Sequence, residues 1–302
     1  MNKKLTVIGS ISTDFVVTTD KRPEMGETVT GKDFETTFGG KGANQAIAAA
    51  RLGSDVEMVG AVGGDLFGGQ LISNLKRNNV GSLNVERVPQ LPSGSAHITL
   101  MNSDNAIVYV PGANDALTVD RMSKLVELLN ESDVVLLQNE TPQEVVEYVI
   151  DYCADNQIKL LYNPAPARKV DREWIEKAAY VTPNESEFHI LFPEWTISEG
   201  VKQYPNHLFI TLGSKGVVYH NGTEEVLVPS YKVAPVDTTG AGDTFNGAFA
   251  VAIAAGLPIE ESVKFGNLAA SLSIQKFGAQ GGMPTLIEMK GSSNYEEKWD
   301  FE

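Results

Sequence analysis

Asp237-Thr-Thr-Gly240-Ala-Gly242-Asp243-Thr-Phe-Asn-Gly-Ala-Phe249 is the stretch on which the rest of the chain turns. Three small residues, Gly240, Ala241 and Gly242, lead into Asp243, and an apolar run of small residues follows from 248 to 255. That pattern predicts a tight turn opening a buried helix. The first N–H groups of a helix lack internal partners, and the helix dipole adds positive character there. Small residues let those groups approach an anion closely. A carboxylate beside such a turn is placed to take a proton from a hydroxyl as it attacks a phosphoryl group. Read alone, the same residues also fit a plain turn with a first-turn Asp favoured by the dipole.

Working outward, the 302 residues allow one large α/β domain or two smaller ones. Hydrophobic residues make up 42%, enough for a sizeable core. There are 24 Lys and Arg against 39 Asp and Glu, a net charge of −15, which argues against nucleic-acid or anionic-membrane partners. An anionic ligand must then be held by local backbone dipoles and a few cations. The single cysteine, Cys153, excludes an internal disulfide framework and reads as a small buried hydrophobe. The chain runs from Met1 straight into a strand, with no signal-peptide pattern and no apolar stretch of spanning length. A soluble, cytoplasmic protein is the expectation.

Leu5-Thr-Val-Ile8 reads as a buried strand, and Asp14 follows close to its C-terminal end, where open α/β sheets bind ligands. Asp14 is therefore a candidate ligand residue, or an ordinary turn Asp. Residues 28–38 alternate, are rich in Thr, Val and Phe, and predict a β ribbon. Residues 95–101 and 106–110 are similar, so a small separate sheet is expected, placed as a lid. Gly39-Gly-Lys-Gly-Ala-Asn-Gln45 opens an Ala-rich helix over 43–52 that stops at Gly53. Its glycines, ammonium and amide could converge on one polyol. It is not a Walker A loop, and no Gly-x-Gly-x-x-Gly fingerprint occurs.

Apolar runs at 56–62, 134–137, 159–162 and 208–212 alternate with helical stretches, predicting a mostly parallel, doubly wound sheet. Polar residues recur after those runs: Glu140, Asn163, Asn184, Glu187, Thr211 and Gly213. Asn184 and Glu187 share a helical face. They fit a helix cap, favoured on local grounds, or part of a Mg²⁺ shell. The four histidines show no zinc spacing, and no Gly-x-Ser-x-Gly elbow occurs. The acidic tail from 291 to 302 is expected to fray.

At this point the residues carry a resemblance. Gly39-Gly-Lys-Gly-Ala-Asn-Gln-Ala46 and Val236-Asp-Thr-Thr-Gly-Ala-Gly-Asp-Thr-Phe-Asn-Gly247 resemble both signatures of the ribokinase/PfkB-type sugar kinase family, which also holds fructokinases and adenosine kinases. Pro111-Gly-Ala-Asn114, Asn163-Pro-Ala-Pro-Ala167, Thr182-Pro-Asn-Glu185 and Thr211-Leu-Gly-Ser-Lys-Gly216 fit its ribose-kinase branch, and the likeness runs in order from about 4 to 285.

The resemblance implies one ribokinase-like domain over 1–302. An α/β core would carry a β lid at about 13–37 and 95–112, with homodimerisation through the lid edge. It implies phosphorylation of D-ribose at its 5-hydroxyl by ATP, with Mg²⁺ and K⁺. Asp243 would be the base, with Gly240, Ala241 and Gly242 the anion hole. Ser12, Asp14, Gly39, Gly40, Lys41, Asn44 and Glu140 would surround the sugar. Asn184, Thr211, Gly213, Ser214, Gly216, Gly242 and Asn267 would line the nucleotide. Glu187 would serve Mg²⁺, partly through water, and with the likeness in hand this metal reading overtakes the cap reading. Asp237, Thr239 and Ala279 would serve K⁺.

Ser12 stands where the family usually has Asn, and Gly282 where Ser is common. His97 and Thr99 stand where the lid usually presents apolar residues to the sugar. Residues 188–207 are fewer than usual. These departures bear on the acceptor and on ion activation. A deoxyribose, other-sugar or nucleoside kinase is the alternative, and a catalytically silent binder the remote one, opposed by the intact Asp243.

Overall fold

Residues 5–8 show no alternation of apolar and polar side chains, as befits a strand covered on both faces. A computed structural model, which describes residues 3–101 and 104–300, bears this out. Strand Lys4–Ile8 lies inside a seven-stranded sheet, between Asp55–Gly63 on one side and Val134–Gln138 on the other. Leu160–Asn163 and Tyr180–Val181 extend one flank, and Val80–Gly81 and Val85–Val88 the other. Every pairing in this sheet is parallel, so crossovers must link the strands, and helix Gln143–Asp155 supplies one of them.

Leu5 and Val7 join one apolar cluster, Ile8 the other, so the sheet is packed on both faces. The first cluster holds helices Lys41–Arg51, Ala241–Ala254 and Ile259–Ser273. The first two approach so closely that a Cβ at Gly247 would lie 2.7 Å from the Gln45 carbonyl oxygen. This is why both helices are built from Ala and Gly where they meet. It brings Asn44 and Gln45 beside Asp243.

A separate four-stranded sheet runs in the order Asp33–Gly39, Ser12–Thr18, Gly94–Met101, Asp104–Val110. The ribbon expected from residue 28 begins as a strand only at Asp33. Register corrects the reading of His97 and Thr99. Asp14 pairs with Ala96 and Val16 with Ile98, and these form the face where Val16, Ala96 and Ile98 cluster. His97 and Thr99 pair with Phe15 and Val17 on the opposite face, and the His97 ring stacks on Phe15 at 5.3 Å. They face away from Asp14, because the pleat alternates and the partner strand sets the phase.

The tail also departs from expectation. Trp299 is fully buried, donates from Nε1 to Glu261 Oε2 at 2.9 Å, and sits edge-on to Phe265. One large apolar side chain offsets the polarity around it; residues 301–302 lie outside the described residues. The segment 188–207 still accommodates helix Ile197–Gln203 after Glu185–Leu191. Among the described residues no helix is long and apolar enough to cross a membrane.

Candidate active site

Helix Ala241–Ala254 begins at Gly240, whose φ of 77° is left-handed, and no side chain caps it. A Cβ on Gly240 would meet the Ala279 carbonyl oxygen at 2.8 Å, so glycine is required for both reasons. A Cβ on Gly242 would meet nothing within 4 Å, which leaves open space before the helix start. Gly240, Ala241, Gly242 and Asp243 line a polar cavity of about 190 Å³ with Lys41 and Glu187. Asn184 and Thr211 lie on the same wall.

Asp243 is buried and receives a donor on each oxygen: Asn44 Nδ2 at 2.9 Å on Oδ2 and Gln45 Nε2 at 3.1 Å on Oδ1. Gln45 is itself fixed, accepting from Gln138 Nε2 at 2.7 Å and donating to Asn163 Oδ1 at 3.1 Å. The carboxylate is thus aimed by amide donors into the polar cavity.

The Gly39–Gly42 turn does the rest of the positioning. A Cβ at Gly40, whose φ is 92°, would strike the Ser10–Ser12 backbone, and one at Gly39 would collide with the Asp14 carboxylate. Two glycines therefore let the helix start dock on the link between the first strands. Glu140 accepts from the Lys41 N–H at 3.1 Å and from Ser10 Oγ. Ser12 Oγ donates to Asp14 Oδ1 at 3.4 Å.

Two further hollows flank this centre. A groove of about 560 Å³ is lined by Thr211, Gly213, Ser214, Gly216, Gly242 and Asn267, with apolar walls from Val217, Phe245 and Ile274. Asn267 is held by donating to the Val228 and Pro229 carbonyls at 3.1 and 3.2 Å. A second cleft, also about 560 Å³, lies under the small sheet between Asp14, Val16 and Ile98 and the loop bearing Asp237, Thr239 and Ala279. Asp237 accepts from the Thr239 N–H at 2.9 Å and the Gly278 N–H at 2.8 Å. At Gly282 a Cβ would collide with the Ser273 carbonyl, so no side chain fits there.

Asn184 and Glu187 form a capping box, each side chain accepting at 2.8 Å from the other's N–H. The cap set aside in favour of a metal shell is therefore present. It occupies Glu187 Oε2, and the residue still lines the polar cavity.

A family model described as pfkB family carbohydrate kinase matches residues 2–286. The chain belongs to the pfkB family of carbohydrate kinases. This kinase is 54% identical over 288 residues to ribokinase of Bacillus subtilis, covering 95% of this chain and 98% of that one. It is 51% identical to ribokinase of Lactococcus lactis, covering 95% and 96%. Its structure is similar to that of Arabidopsis thaliana ribokinase complexed with ribose and ATP, at a TM-score of 0.85 and 31% identity, covering 95% and 97%.

Four carboxylates shape the electrostatics of the kinase's cleft. Burial raises Asp14 to about 6, with Glu140 and Asp243 adding to the rise against the Ser12 hydrogen bond. Burial likewise raises Glu140 and Glu187, and Lys41 counteracts both. Burial would pull Lys41 down, but Asp243, Glu140 and Glu187 outweigh it, so the ammonium is held more firmly charged than usual.

The raised Asp14 sets a stability test. A carboxyl whose folded pKa is raised contributes stability at low pH that is lost as pH climbs from about 4 through about 6, here about 3 kcal/mol. Asp14→Asn is therefore expected to melt several degrees above the parent at pH 8 in ligand-free protein, with the curves converging toward pH 4. Thermal denaturation across pH checks this. A pH-independent gap would mean that Asp14 is not the group responsible.

Sequence reasoning passed over Gln45, although it stands in the quoted motif next to Asn44. Gln138 and Gln280 carried no local signal at all.

Proposed function

We propose that this chain is a ribokinase, transferring the γ-phosphoryl group of ATP to the 5-hydroxyl of D-ribose. The observation that carries the reading is Asp243, held by two amide donors at the mouth of an uncapped helix, between the Asp14 cleft and the Thr211–Asn267 groove. Ribose lies against Ser12, Asp14, Gly39, Gly40, Lys41, Asn44 and Glu140, which offer acceptors and donors suited to hydroxyls. ATP lies along the groove, its base against the apolar wall and its phosphates toward Gly240–Gly242.

Asp243 takes the 5-hydroxyl proton as the oxygen attacks the γ-phosphorus, and the bond to the β-phosphate oxygen breaks to release ADP. The N–H groups of the Gly240–Gly242 turn and the Lys41 ammonium stabilise the charge on the moving phosphoryl group. Ionised Asp14 is the stronger acceptor for a sugar hydroxyl, since both its oxygens then only accept, so ribose is expected to bind better above about pH 6.

Mg²⁺ supplies charge neutralisation on the phosphates. Among the described residues no group of three or more His, Cys, Asp or Glu is arranged to hold a metal. Glu187, with Asn184, would then meet a Mg²⁺ that keeps most of its waters, as is usual for this ion. Asp237, Thr239 and the Ala279 carbonyl are hard oxygen donors that suit K⁺, and Gly282 adds no side-chain donor.

Residues 13–37 and 95–112 act as a lid that excludes water, within a single functional unit spanning 1–302. The outer face of the lid exposes Val17, Phe34, Val108 and Val110, all on the same side of the sheet, a surface suited to a second copy.

The test is ADP release with MgATP and D-ribose in K⁺ and in Na⁺, with the product identified by phosphorus NMR. Ribose-dependent release giving the 5-phosphate, faster in K⁺, is expected. Absence of ribose-dependent release would overturn the reading. Ser12→Asn, which restores the residue usual in the family, is expected to move the ribose KM severalfold with kcat within about twofold. An unchanged KM for every sugar would remove Ser12 as a contact.

A further inference from the structure

Five side chains, running from half-buried Arg51 and Asn78 to buried Asn74, Gln280 and Asn44, form one line that ends on Asp243. Arg51 Nε donates to Asn78 Oδ1 at 3.0 Å, and Asn78 Nδ2 donates to Asn74 Oδ1 at 3.4 Å. Asn74 Nδ2 donates to Gln280 Oε1 at 2.8 Å, and Gln280 Nε2 to Asn44 Oδ1 at 2.9 Å. Asn44 Nδ2 then donates to Asp243 Oδ2 at 2.9 Å. A guanidinium can only donate and a carboxylate can only accept, whereas an amide has one end of each kind. The two charged ends therefore impose one direction on the four amides between them. Reversing Asn44 alone would set its oxygen against the Asp243 carboxylate and its NH₂ against that of Gln280.

We infer that Gln280 is a positioning residue of the kinase reaction. It keeps Asn44 turned so that an N–H, and not an oxygen, faces the base. Gln280 does not contact Asp243 and lines none of the three hollows of the site. Its backbone is clamped independently: Arg51 Nη1 donates to the carbonyls of Gln280 at 2.6 Å and Met283 at 2.9 Å. The same loop is tied to the Asp237 turn through Gly278. The loop proposed to hold K⁺ is thereby connected to the base through two side chains, Gln280 and Asn44, a second link beside the close contact of Gly240 with Ala279.

The inference rests on Asp243 being the base, and the test separates the two. Gln280→Glu keeps the shape but, ionised, has no hydrogen to give, so whichever way Asn44 turns its oxygen faces a carboxylate, that of residue 280 or that of Asp243, and the donor to the base is no longer held in place. Gln280→Met keeps the volume and removes both hydrogen bonds, leaving Asn44 free to stay as it is. With saturating ribose, the Glu variant is expected to lose about 30-fold or more in kcat, with the ATP KM within about twofold. The Met variant is expected to lose less than about fivefold.

A residue that mattered only for packing would give the reverse order, since Glu is the closer isostere. Asn74→Asp breaks the same direction one link earlier, should the Glu variant not fold, and is expected to show a smaller loss in kcat alone. Parental kcat in Gln280→Glu or Asn74→Asp, or equal losses in the Glu and Met variants, would overturn the inference. If Asp243→Asn retains turnover, the base assignment falls instead, whatever Gln280 does.

Discussion

Asp243→Asn is expected to lower kcat by about 10³-fold while leaving ATP affinity within about threefold, in line with the loss of a general base. Asn is almost the same size as Asp, so the buried site is not emptied. Yet both Asp243 oxygens face amide donors, Nδ2 of Asn44 and Nε2 of Gln45. An Asn there must point its own NH₂ at one of them, which displaces the side chain as well as removing its basicity. The groove lined by Thr211, Gly216 and Asn267 is untouched, which is why nucleotide binding should survive. Steady-state turnover and calorimetric ATP binding on the same preparation check this. Turnover near the parental value would remove Asp243 as the base.

Gly240→Ala is expected to lower kcat by about 10²-fold and also to destabilise the protein, because the turn proposed as the anion hole and its support move together. The residue sits at φ 77°, where a Cβ costs about 1–2 kcal/mol before any contact is counted. That Cβ would also lie 2.8 Å from the Ala279 carbonyl oxygen and 2.9 Å from its Cα. The turn or the loop at 278–283 must give way, and either shift reorients the N–H groups of Ala241 and Gly242. Gly242→Ala is the control, because its Cβ meets only open space. It is expected to keep the parental Tm while slowing turnover, since the added methyl stands where the phosphoryl group must come. If Gly240→Ala keeps both Tm and kcat, the turn is not constrained as described. Equal Tm losses in both variants would mean that the left-handed geometry and close approach at Gly240 are not what the loss reports, since helix propensity alone favours Ala over Gly.

Much of the architecture was legible because its signals are local. Leu5-Thr-Val-Ile8 announces a strand buried on both faces, and Gly240-Ala-Gly242 announces an open helix start, from residue type alone. What escaped was set by partners distant in the chain. His97 and Thr99 share a face on any strand, but only pairing with Phe15 and Val17 decides which face meets the cleft. Trp299 docks on Glu261 and Phe265, a contact that a polar, acidic tail does not advertise. Gln280 meets Asn44 across 236 positions, and although its neighbour Ala279 was expected at the K⁺ site, nothing local marks the Gln280 side chain as reaching the base. The cap and the metal shell at Asn184 and Glu187 looked like competing readings because each was weighed as the use of a whole side chain. The capping box occupies one oxygen of Glu187, so the two are compatible.

The measurement that bears most directly on the central claim is kcat/KM with MgATP for D-ribose, 2-deoxyribose, fructose and adenosine. D-ribose is expected to give the highest value, with adenosine turned over poorly. A clear preference for another acceptor would contradict the assignment of ribose and move attention to Ser12 and the Val16–Ile98 face. No acceptor-dependent turnover at all, with ATP still bound, would contradict the catalytic reading of Asp243 itself.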